Sequence, residues 1–270
     1  MNIFKREMRG NLKGLLIWCV SMFALALVGF GEYGILMNSD DPIDFDEMMN
    51  MMPRVVQLMM GLGKYIPGTT DMISVNTADG WYVCMFVWCA LVAYIHAALL
   101  GADILAKEEH DRTSEFLFTK PVTRGAVITP KIFAGMLNAL FVTGTCGLAA
   151  AAVFGQYMDY GKIAATITGM YITALGFFFF GLLMSAVFTG KGKAAGAAVG
   201  FVGLAYGSGV VIEALEAEGT LRFLSPMLWF DSIAVMFDGM SAGLIALAAV
   251  LIAACTAGTY ALYQKRNLHS

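Results

Sequence analysis

With 270 residues, of which 59% are hydrophobic and only 14% charged, and a mean hydropathy of +0.71, the chain carries more apolar surface than a water-soluble domain can bury; such domains are roughly 45–50% apolar and about a quarter charged. Composition therefore excludes an ordinary soluble fold; the formal net charge of −3 says little beside the distribution of charge, and nucleic acid is not an expected partner. The bilayer is the solvent, because apolar runs of about 20 residues, enough to cross a ~30 Å hydrocarbon core as helix, recur along the chain.

In residues 2–13, Phe4, Met8 and Leu12 fall at helical spacing and Lys5, Arg6, Arg9 and Lys13 occupy the rest of the wheel. This predicts an amphipathic elbow helix lying at the membrane interface. The first apolar run, 15–37, is too long for the roughly 7–15-residue core of a signal peptide and lacks a small-residue cleavage site, so it reads as a retained first span. Further spans are expected at 81–105, 132–155, 163–188, 194–212 and 243–263, six in all. The expected fold is an all-α integral membrane protein, residues 1–270 forming a single transmembrane domain.

Basic residues near span ends stay on the cytoplasmic side. One side collects Lys5, Arg6, Arg9, Lys13, Lys107, Arg112, Lys120, Arg124, Lys131, Lys191, Lys193, Lys265 and Arg266; the other has only Arg54, Lys64, Lys162 and Arg222. Both termini are thus expected in the cytoplasm. Cys19, Cys84, Cys89, Cys146 and Cys255 all sit in apolar segments without a CxxC pair, the pattern of core thiols rather than a disulfide framework.

The outer loop, 38–80, opens with Asp40, Asp41, Asp44, Asp46 and Glu47 and continues into a Met-rich stretch. Met48, Met52, Val55, Met59 and Leu62 recur at spacings of three and four, which predicts one apolar helical stripe, kinked at Pro53, that lies on the membrane or caps the bundle. Thioether sulfur also suits Cu(I), but the stripe explains the spacing without an ion and no metal site is expected. A second outer segment, 213–239, is too polar to span; its apolar stretch Phe223 to Phe230, interrupted by Pro226, predicts a re-entrant or interfacial hairpin.

The densest charge lies in the loop 106–131. Asp111 or Thr113 can cap a short helix there, Pro121 ends it, and Thr123 can cap the next. Phe116, Leu117 and Phe118 beside Glu108, Glu109 and Glu115 make aromatic anchors with a charged rim, suited to a partner's groove; a simple stitch between two spans explains the same residues. The order Glu109, Thr113, Leu117, Pro121, Val122, Arg124 and Lys131, with Leu224-Ser225-Pro226 before the last span and Lys265 to Leu268 in the tail, resembles the type-2 ABC transporter permeases. Arg112, where that pattern has glycine, and Asn267, where it has aspartate, depart from it.

The resemblance implies a permease subunit of a plasma-membrane exporter, paired with a second permease subunit and with cytosolic ABC ATPase subunits that hold ATP and magnesium. It also implies that the short cytoplasmic coupling helix, through Glu108, Glu109, Thr113, Glu115, Phe116, Leu117, Pro121 and Arg124, enters the ATPase. The chain itself has no GxxxxGK[ST] loop, so it is not expected to bind or hydrolyse nucleotide. Glu32, His96 and Asp103, ionisable groups within or at the ends of spans, are candidates for a translocation path or, in a rival reading, for a proton-driven carrier. A Ser208–His96 dyad would make an intramembrane hydrolase, but Gly196, Ala198, Gly200, Gly203, Gly207 and Gly209 around it read better as a surface for close helix packing.

Overall fold

The computed structural model describes residues 3–37, 44–110, 124–188 and 191–265. Its long helices are α1 (Ile3–Met37), α4 (Ala78–His110), α5 (Arg124–Phe154), α6 (Tyr160–Val187), α7 (Lys191–Ala214) and α11 (Ala242–Lys265). Each contains a stretch long and apolar enough to cross a membrane, so the all-α, six-span expectation holds. Short helices α2 (Phe45–Asn50) and α3 (Arg54–Met59) lie between α1 and α4. Between α7 and α11 come α8 (Glu218–Leu221), a 3-10 turn (Arg222–Leu224), α9 (Pro226–Trp229) and α10 (Ser232–Phe237).

The central helix is α6, buried over 61% of its spanning window against 17% for α11 and 22% for α1; it packs against α4, α5, α7, α10 and α11. Its closest neighbour is α4, and two glycines explain why. A Cβ on Gly101 would strike the Phe178 carbonyl oxygen, and one on Gly181 would strike that of Ala98. With Ala97 and Ala102 fully buried alongside, the two backbones meet directly, the small-residue packing of membrane helices.

The start of α1, the end of α11 and the two helix ends flanking 111–123 gather at one end of the bundle, here the proximal end. There the Lys131 Nζ lies 3.7 Å from Glu7 and donates to the Ile104 carbonyl at 3.1 Å, and the Thr129 and Tyr260 hydroxyls meet at 2.7 Å. The short helices close the opposite, distal end. Beneath them Phe30 and Tyr82 stack at 5.1 Å, Phe154 packs edge-on to Phe30, and the Trp81 indole donates to the Gly29 carbonyl at 2.9 Å.

Several expectations need revising. Residues 3–13 do not form a separate elbow: α1 runs unbroken to Met37, since nothing near Gly10 or Gly14 stops a helix and Glu7, buried against Lys131, draws the segment onto the bundle. Helices α4 and α5 extend into the loop 106–131, leaving 111–123, which lies outside the described residues. The Met stripe does not form either. Met48, Val55 and Met59 are exposed, whereas Met49, Leu58 and Leu62 are buried, because the break at Met51–Pro53 resets the helical phase. The loop does cap the bundle, with Ile73 and Val75 also in the core. Of the small residues of α7, Ala198 is buried and Gly209 lies against Ser225 and Leu228, while a Cβ on Gly196, Gly200, Gly203 or Gly207 would meet nothing within 4 Å among the described residues; the closest approach of two spans is made by Gly101 and Gly181. Segment 213–239 folds as the chain of short helices over α6 and α7.

Candidate functional site

At the distal end three chain segments bring their charges together. Gly61 and Gly63, at φ +78° and +71°, turn the chain after α3 in a left-handed conformation that glycine adopts freely, and this turn delivers Lys64 into the bundle's mouth. Its Nζ reaches Glu213 at the end of α7 at 2.5 Å and Asp231 at 2.6 Å. Asp231 also caps α10, accepting from the Ala234 amide. Helix α7 stops just beyond Glu213 because Glu216 turns left-handed, at φ +55°, and the Ala217 amide closes back on the Ile212 carbonyl, the usual Schellman ending. That turn aims Glu216 at Arg54, 2.5 Å away. Arg222 is held by the Leu228 carbonyl at 2.7 Å, and Lys162 pairs with Asp79 at 2.7 Å.

The charges respond to one another. Burial depresses the Lys64 ammonium's pKa, but Asp231 and then Glu213 outweigh it and hold the group above its ordinary value. Burial raises the Asp231 carboxyl, and Lys64 more than reverses this, leaving it below the usual range. The Glu216 hydrogen bond likewise raises Arg54. The acidic residues of the outer loop serve a local purpose: Asp44 caps α2 and accepts from Asn76 at 2.8 Å, which lowers its pKa, and Asp46 binds Ser74 and the Val75 amide.

Two neighbouring cavities open here. An inner lobe of about 520 Å³ lies between α4, α7 and the 225–232 segment, walled by Phe86, Tyr94, Tyr206, Val210, Leu228 and Phe230. A wider lobe of about 1030 Å³ is bordered by Arg54, Glu216, Glu218, Arg222 and Asp238. Lys64 and Asp231 border both.

The residues expected to matter are distributed differently. Glu108 and Glu109 fall on the last turn of α4 and Arg124 begins α5; Thr113, Glu115, Phe116, Leu117 and Pro121 lie outside the described residues. Glu32 is exposed on α1, while His96 is buried and tilted against Trp18 at 4.9 Å, its Nδ1 without a partner among the described residues. Trp18 and Glu32 are about 20 Å apart along α1 at 1.5 Å per residue, and half-buried Asp103 sits two turns past His96 on α4. The structure does not gather the three into one path. Ser208 bonds its own helix at Ala205 on an exposed face of α7, away from the α1-facing His96, so the hydrolase dyad does not assemble. Among the described residues no group of three or more His, Cys, Asp or Glu could hold a metal ion.

Sequence reasoning missed the distal cluster. Lys64, Glu213 and Asp231 each stand beside an apolar run, and Asp231 precedes Ser232-Ile233 as an N-cap would, but nothing in the sequence pairs them. The comparisons with known proteins bear on the whole chain. A family model described as ABC-2 family transporter protein matches residues 1–268. No curated protein matches the chain.

Proposed function

The chain belongs to the ABC-2 family of transporter proteins, and from that premise, as a multi-pass membrane permease component rather than the family's ATPase, we propose that it is an exporter subunit moved by a separate cytosolic ATPase that engages residues 108–124. Family membership implies the ATPase partner. What carries the coupling is the form of α4: one unbroken helix from Ala78 to His110, about 50 Å long. Its proximal end adjoins the 111–123 segment, and Phe86 and Tyr94 on its distal half line the inner lobe. Locked to central α6 through Gly101 and Gly181, it is a stiff lever from one end of the bundle to the other. A push on Glu108, Glu109, Thr113, Glu115, Phe116, Leu117, Pro121 and Arg124 is thereby delivered to the distal cleft, a two-state element biased by nucleotide in the partner.

ATP and magnesium are assigned to that partner, and export and a plasma-membrane location with cytoplasmic termini follow from the resemblance and from the distribution of basic residues. A second permease subunit completes the reading. The face of α7 carrying Gly192, Gly196, Gly200, Gly203 and Gly207 has open space over every one of them, room for a partner helix to approach as closely as α4 approaches α6. The proton-carrier alternative is weaker because Glu32 and His96 lie at different depths on different helices.

The test is a triple replacement of Glu115, Phe116 and Leu117 by alanine. Membrane insertion is retained, and stimulation of the co-expressed ATPase by the permease falls at least tenfold, about 1.4 kcal/mol of coupling. Undiminished stimulation, or transport that persists without any ATPase, defeats the reading.

A further inference from the structure

The inner lobe of the distal cleft, with its apolar wall and its pair of carboxylates, has the chemistry of a binding site. Its wall is aromatic and aliphatic, from Phe86, Tyr94, Tyr206, Leu228 and Phe230. Its polar groups converge on one point, where Glu213 and Asp231 approach a single ammonium at 2.5 and 2.6 Å. The neighbouring wider lobe carries Glu216, Glu218 and Asp238 against Arg54 and Arg222, and Arg54 is already paired with Glu216. Carboxylates outnumber cations around the two lobes.

We propose that this cleft binds an organic cation with an apolar body, the body filling the aromatic lobe and the positive charge sharing Glu213 and Asp231. Lys64 is then an internal stand-in for the ligand: it places a cation where the ligand's charge goes and keeps both carboxylates compensated when the lobe is empty. An anion meets the acidic excess and is repelled, since like-charge juxtaposition in a poorly solvated site costs far more than in water. A cation gains both the carboxylate pair and the faces of the aromatic rings. A neutral apolar molecule gains only the wall. The site is separate from the proximal segment that engages the ATPase, so the proposal stands or falls without the coupling reading.

Two ions of matching shape and opposite charge decide it: tetraphenylphosphonium and tetraphenylborate, each measured by equilibrium dialysis against the full-length purified chain in nanodiscs. Tetraphenylphosphonium binds saturably, while tetraphenylborate shows only the linear uptake of lipid partitioning. Glu213→Gln and Asp231→Asn each weaken tetraphenylphosphonium binding on the order of tenfold, as expected for a lost charged contact, with unchanged size-exclusion profiles. Equal binding of the two ions by the wild-type chain overturns the proposal whatever the variants do. So does full tetraphenylphosphonium affinity in a well-folded Glu213→Gln chain.

Discussion

Lys131 and Lys64 stand at opposite ends of the same bundle and handle a lysine's charge in opposite ways. Lys131 is sealed, 1% exposed, and its contacts include a carboxylate at 3.7 Å and a carbonyl at 3.1 Å. Its contacts tie the start of α1 to α4 and α5, the two helices that flank 111–123. Lys64 has two carboxylates at shorter distances, borders a cavity on either side, and hangs from a glycine turn rather than a span. Degree of closure and contact with a cavity thus set the two lysines apart. A sealed charge tied to neighbouring helices serves to hold elements together. A charge with redundant partners beside a cavity can exchange one of them, and serves to receive something.

The largest effect expected from that contrast is at the proximal end. Lys131→Met leaves Glu7 buried without its cation, and breaking a buried pair from one side costs about 3–5 kcal/mol. Fluorescence-detected size exclusion after heating should show a large fall in the melting midpoint. The double variant Lys131→Met with Glu7→Gln should recover most of it, because the loss comes from the stranded charge. If the double variant melts with the single, Lys131 matters through packing and the contrast with Lys64 is lost.

These two lysines also mark how far the sequence could be read. The spans were legible because an apolar run of that length has no other use, and α6, whose FFFFG run is uniformly apolar, came within a few residues. The edges were less so: Lys131 looks like a boundary until Glu7 and the Ile104 carbonyl are placed around it, and only folding does that. The loop stripe failed because Pro53 and the break before it interrupt a periodicity that assumes one helix. Span five advertised its small residues, yet the tight contact fell to Gly101 and Gly181, each lying in an unremarkable apolar run. The distal cluster was invisible for a simpler reason, since Lys64 and Asp231 are 167 residues apart and charge alone does not say which carboxylate a lysine will find. Of the proximal coupling residues, most lie outside the described part of the chain.

A smaller effect is expected at the distal end. Asp231→Asn keeps the cap on α10 and leaves Lys64 with Glu213, so it costs about 1–2 kcal/mol, one charged hydrogen bond's worth. The dependence on pH carries the sign. Asp231 has a folded pKa below its unfolded value, so its contribution is complete above about pH 4–5 and is lost as pH falls through the lowered value. Lys64 has a folded pKa above its unfolded value, so its share is complete below about pH 10 and is lost only as pH rises through the raised value. The gap in melting midpoint between wild type and Asp231→Asn should therefore close in acid, as pH falls through the lowered Asp231 value. A gap that widens in acid would mean that the pair opposes folding.

The smallest effect belongs to Arg54 and Glu216, which separate distance from strength. Their contact is as short as that of Lys64 with Glu213, but their side chains are 41% and 66% exposed, where water and salt compete for both charges. Exposed pairs of this kind contribute about 0–1 kcal/mol, and at physiological ionic strength the screening length is only about 8 Å. Arg54→Gln should thus shift the melting midpoint little in dilute buffer and not at all in high salt, whereas the Asp231→Asn gap, screened by the cleft walls, should survive the same salt. If Arg54→Gln matches Asp231→Asn under both conditions, proximity to the cavity adds nothing to the Lys64 cluster, and the distinction between the two parts of the distal end disappears.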